Sequence, residues 1–166
     1  MLSLAFTPDG KFIFWGGDNH EVHWATRAGH NPLAWTFTGN NAPVNVLTFH
    51  PDGRSFACGG GGDGTLRLCS FDGQRVKEKA VLRQHTRAVN DVAFADDGLS
   101  FATVSDDKLA ILWDGATGAV KKTWELRAPI HGVALAPDTR HVLLANAGGS
   151  IFILRLGEAT ALAQAR

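Results

Sequence analysis

The chain has 166 residues, of which 45% are hydrophobic and 19% are charged, and this composition predicts a folded protein with an apolar core. Sixteen Lys and Arg side chains balance sixteen Asp and Glu, so no net positive charge favours nucleic acid or an anionic membrane as a partner. No apolar run reaches the roughly 18 residues of a membrane span. Two cysteines, Cys58 and Cys69, lack CxxC spacing and predict reduced thiols. We therefore expect a cytoplasmic protein.

An apolar strand pattern that ends in a tight turn recurs four times along the chain. The turns begin at Pro8, Pro51, Asp96 and Pro137, so successive repeats are separated by 41 to 45 residues. A period of roughly 40 to 50 residues is typical of β-propeller blades. The sequence therefore predicts an all-β fold built from propeller blades.

Each repeat contains the same order of elements: a strand, a turn, a second strand, a second tight turn and a third strand. A more polar segment follows and is expected to form an outer edge strand, at residues 33–38, 76–82, 119–126 and 160–165. No proline-rich or charged linker separates the repeats. We expect a single array over residues 1–166 with four four-stranded antiparallel sheets, at approximately residues 1–39, 40–84, 85–126 and 127–166.

The third repeat resembles a blade of the WD-repeat family. Gln84-His85 stands where that family has Gly-His, and Trp113-Asp114 ends the third strand. The resemblance implies a buried hydrogen-bonded relay of four side chains, namely His85, Ser105, Asp107 and Trp113. Such a relay is chemically coherent because a histidine ring can bond to a carboxylate on one side and a hydroxyl on the other. Thr103 lies on the same strand face as Ser105 and could take its place.

The other repeats depart from this pattern. The second has Asn40 at the histidine position and Cys69 at the tryptophan position, although it keeps Asp63. The first has no preceding histidine, and the fourth has Leu154 at the tryptophan position. We therefore expect the relay in the third repeat alone.

A propeller blade is apolar on both faces, so four blades leave two uncovered faces unless the ring closes. The sequence favours half of an eight-bladed ring, which a homodimer completes, and leaves open that further blades of a longer chain do so. A closed four-bladed ring is the remaining arrangement. In an isolated chain we expect the uncovered faces to expose Phe12, Phe14, Phe152 and Leu154 or their neighbours.

Two short motifs are better explained by turns than by ligand binding. Gly59, Gly61 and Gly64 match G-x-G-x-x-G, but a strand pattern follows them where a dinucleotide site needs a helix. His20 and His23 lie three apart in an extended segment and so point to opposite faces. We expect no cofactor and no metal. The aspartates of the first turns are expected to cap their own backbone, at Asp9, Asp52, Asp97 and Asp138.

The sequence favours a non-catalytic scaffold that binds an unidentified protein partner. WD-repeat proteins commonly bind partners through loops at one rim, so the resemblance implies five candidate residues there: Asn41, Asn45, Arg87, Arg127 and His131. No catalytic residues are assigned. The alternative is a propeller-type hydrolase or lyase with a site at the central channel. Two or more titratable side chains that converge in one pocket would favour the enzyme.

Overall fold

The computed structural model describes residues 3–27 and 35–156, in which all regular structure is β-strand. Fifteen strands form four antiparallel sheets, one for each sequence repeat, and this arrangement confirms the predicted all-β fold of propeller blades. Within these ranges no helix has the length and apolar character that a membrane span requires.

The first two sheets, named blade 1 and blade 2, each have four strands in sequential order. Blade 1 contains β1 (Ser3–Phe6), β2 (Phe12–Gly16), β3 (Val22–Thr26) and β4 (Trp35–Phe37). Blade 2 contains β5 (Val44–Phe49), β6 (Ser55–Gly60), β7 (Leu66–Phe71) and β8 (Val76–Leu82). Short connections make sequential strands antiparallel neighbours, as the repeat pattern predicts.

Blades 3 and 4 follow the same plan. Blade 3 contains β9 (Val89–Phe94), β10 (Ser100–Ser105), β11 (Leu109–Asp114) and β12 (Val120–Glu125). Blade 4 contains β13 (Ile130–Leu135), β14 (His141–Asn146) and β15 (Ile151–Arg155). The fourth strand expected at residues 160–165 lies outside the described residues. The first strands pack side by side, because β1 contacts β5, β5 contacts β9, and β9 contacts β13.

Each first turn is held by the side chain of its own aspartate, as the sequence predicts. Oδ1 of Asp52 accepts the N–H groups of Arg54 and Ser55 at 2.7 and 2.8 Å. Oδ1 of Asp9 accepts the N–H of Lys11 at 3.0 Å, and this bond is the main reason that the pKa of Asp9 is lowered to about 2. The other two turns contain the same bond, at Asp97 and Asp138. Turn geometry therefore accounts for all four aspartates.

The apolar core is divided into three clusters, each enclosed between two neighbouring blades. Between blades 1 and 2, the fully buried Phe14 contacts the rings of Phe49, Phe56 and Phe71 at centroid distances of 4.9 to 5.3 Å. Successive residues of a strand serve opposite clusters, since Phe56 packs towards blade 1 and Ala57 towards blade 3. Both faces of blades 2 and 3 are therefore buried. This burial explains why the inner strands of these two blades have few exposed positions.

The outer faces of blades 1 and 4 expose apolar side chains, as expected, but these belong to neighbours of the four residues named from the sequence. Phe12 and Phe14 pack in the first cluster, while Phe152 and Leu154 pack against blade 3. The exposed side chains are Ile151 and Ile153, which alternate with Phe152 and Leu154, and Leu4 and Phe6 of the adjacent strand β1, and they are 49 to 68% exposed. Strand side chains alternate with a period of two, so a shift of one residue exchanges the faces.

Candidate functional site

The most extensive buried polar network lies in blade 3 and centres on Thr103. Trp113 donates its indole N–H to Oγ1 of Thr103 at 2.9 Å, and Nε2 of His85 lies 2.7 Å from the same oxygen. Nδ1 of His85 lies 2.9 Å from Oδ2 of Asp107. Indole can only donate, so Thr103 accepts from Trp113, and a carboxylate can only accept, so Nδ1 of His85 donates to Asp107. With a single proton on the ring, Nε2 then accepts the hydroxyl proton of Thr103, which is the arrangement of a neutral His85 protonated on Nδ1.

The electrostatics of the network agree with that assignment. Burial lowers the pKa of His85 and outweighs the hydrogen bond to Asp107, which acts in the opposite direction. Burial raises the pKa of Asp107, but the N–H groups of Thr86 and Leu109 together with the ring of His85 lower it by more, so the net shift is downward. At neutral pH the pair is therefore a neutral imidazole beside an ionised carboxylate.

Ser105 is not a member of this relay, which corrects its assignment in the sequence. Its Oγ donates to the carbonyl oxygen of Arg87 at 3.3 Å and accepts the N–H of Asp107 at 3.0 Å. A bulge between Val104 and Ser105 interrupts the register of β10 with β9. Thr103 lies before this irregularity, where its side chain reaches both rings. Ser105 instead fixes the turn that holds Asp107.

Comparisons with known proteins agree with the geometry. The WD40 family model, described as WD domain, G-beta repeat, matches residues 31–70 and 76–114. The chain is 30% identical over 153 residues to WD repeat-containing protein 1 of Gallus gallus, and 29% identical over 155 residues to that of Mus musculus. Both alignments cover 88% of this chain. The chain belongs to the WD-repeat family.

The alignments cover only part of each relative. The chain spans about a quarter of the curated WD repeat-containing proteins that it matches, with 24% of the chicken protein and 25% of the mouse protein covered. A shorter match links 63 residues to eukaryotic translation initiation factor 3 subunit I of Homo sapiens at 35% identity. That match covers 38% of this chain and 19% of the human protein.

Blade 2 contains different residues at the positions of the WD relay. Its register pairs Phe56 with Cys69, as blade 3 pairs Phe101 with Trp113, so Cys69 occupies the tryptophan position. Cys58 occupies the position of Thr103, opposite Arg67. A hydrogen bond with Cys69, followed by burial, raises the pKa of the Cys58 thiol. Two buried thiols thus replace the threonine and tryptophan.

The terminal blades also lack the relay tryptophan. In blade 1 the register places Ala25 opposite Ile13 at this position, whereas Trp24 lies one residue earlier and stacks on Phe14 at 5.6 Å. In blade 4 the position belongs to Leu154, which pairs with Val142. Among the described residues, no group of three His, Cys, Asp or Glu side chains is placed to hold a metal ion.

Three of the five rim candidates lie in the loops that precede the first strands, and the other two, Asn45 and His131, are the second residues of β5 and β13. Four of the five expose their side chains. Asn41, Arg87 and Arg127 are exposed, and His131 is 58% exposed with Nε2 3.6 Å from Oδ1 of Asp106. The fifth, Asn45, is half-buried and donates to the carbonyl oxygen of Gly60 at 3.2 Å. Asn45 therefore supports the loop rather than presenting a free side chain.

Sequence reasoning missed the residues that fix the rim between blades 3 and 4. Nδ2 of Asn90 donates to Oδ1 of Asp106 at 2.7 Å and to the carbonyl oxygen of Ile130 at 2.9 Å. Oδ2 of Asp91 accepts the N–H of Val133 at 2.9 Å. The Val-Asn pair that begins both β5 and β9 is the sequence pattern that could have identified Asn90. These bonds hold His131 at a defined place on the rim.

Replacing Thr103 by valine tests the relay. Valine keeps the shape of the side chain but leaves the indole N–H of Trp113 and Nε2 of His85 without partners. We expect the free energy of unfolding to fall by about 1 to 3 kcal/mol in T103V, and similarly in H85A and W113F. The exposed Thr123→Val in the same blade is the control and should remain within about 0.5 kcal/mol of wild type. If all variants had the same chemical denaturation midpoint as wild type, the relay would be contradicted.

The lowered pKa of His85 predicts a loss of stability in acid. At pH values below 6.5, the ordinary pKa of histidine, His85 binds a proton in the unfolded chain but not yet in the folded one. Acidification therefore favours unfolding. The lowered pKa of Asp107 likewise makes acidification favour unfolding, at pH values below its ordinary pKa of 3.8. The stability difference between wild type and H85N should therefore shrink as the pH falls from about 7.5 to about 5.5. The other histidines are common to both proteins, so a pH-independent difference would refute the assignment.

Proposed function

We propose that this chain is a non-catalytic scaffold that binds a protein partner through its rim, here defined as the surface of Asn41, Arg87, Arg127 and His131. WD-repeat proteins in general bind protein partners, and the matched initiation factor is by its name a subunit of a larger factor. The observation that carries the proposal is the exposure of these four side chains, three on loops and His131 at the start of β13, where the strands and the Asn90 bonds hold them in place. Rigid strands with exposed loop side chains suit recognition.

The buried relay argues against the alternative of a propeller-type hydrolase or lyase. A general acid or base must reach its substrate. The side chains of His85 and Asp107 are only 2% and 5% exposed, and their bonding capacity is used by Thr103, Thr86 and Leu109. Their shifted pKa values thus accompany a structural role.

The two free thiols, Cys58 and Cys69, also support our proposal of a cytoplasmic location.

Charge reversal on the rim tests the scaffold function. Wild-type chain, R87E/R127E and a control K121E/R140E are immobilised and exposed to a cell extract, and retained proteins are identified by mass spectrometry. All four cations are exposed, but Lys121 and Arg140 lie away from the rim and from the outer faces of blades 1 and 4. We expect a partner that wild type and control retain and that R87E/R127E loses by at least about tenfold. Equal retention by the three proteins would contradict a rim interface.

We further propose that the outer faces of blades 1 and 4 are covered in a head-to-tail homodimer that forms one eight-bladed ring. Leu4 and Phe6 present one apolar face, and Ile151 and Ile153 present the other. Contiguous apolar patches are unusual on a soluble monomer, and one two-fold operation covers all four faces of two copies. Further blades of a longer chain would cover the same two faces.

Light scattering coupled to size exclusion tests the dimer. We expect wild type at micromolar concentration to have twice the mass of 17.7 kDa, and F6E or I153E to reduce it to the monomer mass. The control is L99E, because Leu99 is 66% exposed but lies in the first turn of blade 3. A stable, folded wild-type monomer would overturn the dimer and favour a closed four-bladed ring.

A further inference from the structure

A cleft of about 960 Å³ opens at the edge of blades 1 and 2 that lies opposite the rim. The first strand of each blade begins at the rim side and ends at the turn that closes this edge. The cleft is lined by the turns after β1 and β5 and by the loop between β7 and β8. Its volume lies within the range of about 300 to 1,000 Å³ that is common for ligand sites. The cleft is thus a second concave surface, separate from the rim.

The lining of the cleft is unusually rich in cations for a chain with no net charge. It contains five of the sixteen Lys and Arg side chains of the chain, namely Lys11, Arg54, Arg75, Lys77 and Lys79. Three carboxylates line it as well, those of Asp9, Asp52 and Asp72. The balance is an excess of two positive charges, which attracts an anionic ligand.

The carboxylates of the cleft are already engaged by the protein itself. Oδ1 of Asp72 accepts the N–H groups of Gln74 and Arg75 at 2.9 and 2.8 Å, and Asp52 binds its own turn in the same way. Oδ2 of Asp9 lies 3.1 Å from Nζ of Lys11, so these two charges neutralise each other. The positive excess therefore comes from the remaining cations.

Four cations in the cleft have no acidic partner in the part of the chain that the structure describes. No carboxylate oxygen of residues 3–27 or 35–156 lies within 4.0 Å of a side-chain nitrogen of Arg54, Arg75, Lys77 or Lys79. Lys79 donates from Nζ to Oγ of Ser55 at 3.2 Å. These side chains can thus turn towards a ligand without breaking an ion pair.

Apolar side chains lie beside the cations. Phe12 and Phe71 meet edge to face with centroids 5.0 Å apart, and Val76 packs against the same cluster. A ligand that fits this lining carries negative charge and at least one apolar group. An acidic polypeptide segment combines both features, whereas a polyanion such as heparin offers the charge without an apolar side chain for Phe12 and Val76.

We propose that this cleft binds an acidic segment of a partner protein, with its carboxylates near Arg54, Arg75, Lys77 and Lys79 and an apolar side chain against Phe12 and Phe71. This binding is additional to the proposed rim interface and does not depend on it. It is a surface interaction steered by charge, so its affinity falls as salt screens the cations.

Fluorescence anisotropy tests the proposal with a labelled peptide, Glu-Ala-Glu-Phe-Glu-Ala-Glu. We expect R75E/K77E to weaken binding by at least about tenfold and a rise in salt to weaken binding to wild type. The matched control K121E/R140E changes the net charge equally, outside the cleft and the outer faces of blades 1 and 4, and should leave the affinity unchanged. The rim variant R87E/R127E should also bind as wild type does, which separates this result from the proposed scaffold function.

Three results would overturn the proposal. The first is equal affinity of wild type and R75E/K77E while both have the same denaturation midpoint. The second is equal loss of affinity in K121E/R140E, which would indicate attraction to the net charge alone. The third is binding of heparin or of phosphatidylserine vesicles without binding of the acidic peptide. A peptide with Gln in place of Glu should bind at least about tenfold more weakly if carboxylates are recognised.

Discussion

Packing between neighbouring blades is the interaction on which the rest of this structure depends. No blade encloses a core of its own, since each apolar cluster is shared by two adjacent sheets. Phe56 and Phe101 both point back to the preceding blade and are fully or nearly fully buried there. The stability of one blade is therefore coupled to its neighbours, as in other repeat arrays. The same coupling explains why blades 1 and 4 each expose an apolar face.

The blade fold does not require the relay of blade 3, which adds polar contacts to the apolar packing between blades. Blades 2 and 3 have the same strand order and the same cross-strand pairing, although Cys58 and Cys69 replace Thr103 and Trp113. Two small thiols avoid buried polar groups that need partners, whereas the indole and imidazole of blade 3 require a complete set of hydrogen bonds. Burial of His85 and Asp107 then links the stability of that blade to pH.

Net neutrality conceals a local excess of cations at the edge opposite the rim. At the rim, Nε2 of His131 lies 3.6 Å from Oδ1 of Asp106, which also accepts from Asn90. At the opposite edge, turn aspartates use their oxygens on backbone N–H groups, and nearby cations such as Arg75 remain available. The turn chemistry that shapes the blades thus also determines which charges face a ligand.

The sequence by itself determined the repeat period, the order of strands and the turns closed by aspartate, because these features follow from local spacing and turn chemistry. It also identified His85, Asp107 and Trp113 through a family resemblance. Only the tertiary structure decided that Thr103 rather than Ser105 completes the relay, since a bulge shifts the register between them. It also decided which face of blade 1 is exposed and gathered the cations of the cleft. Strand alternation and contacts between distant turns depend on three-dimensional register, which local patterns do not specify.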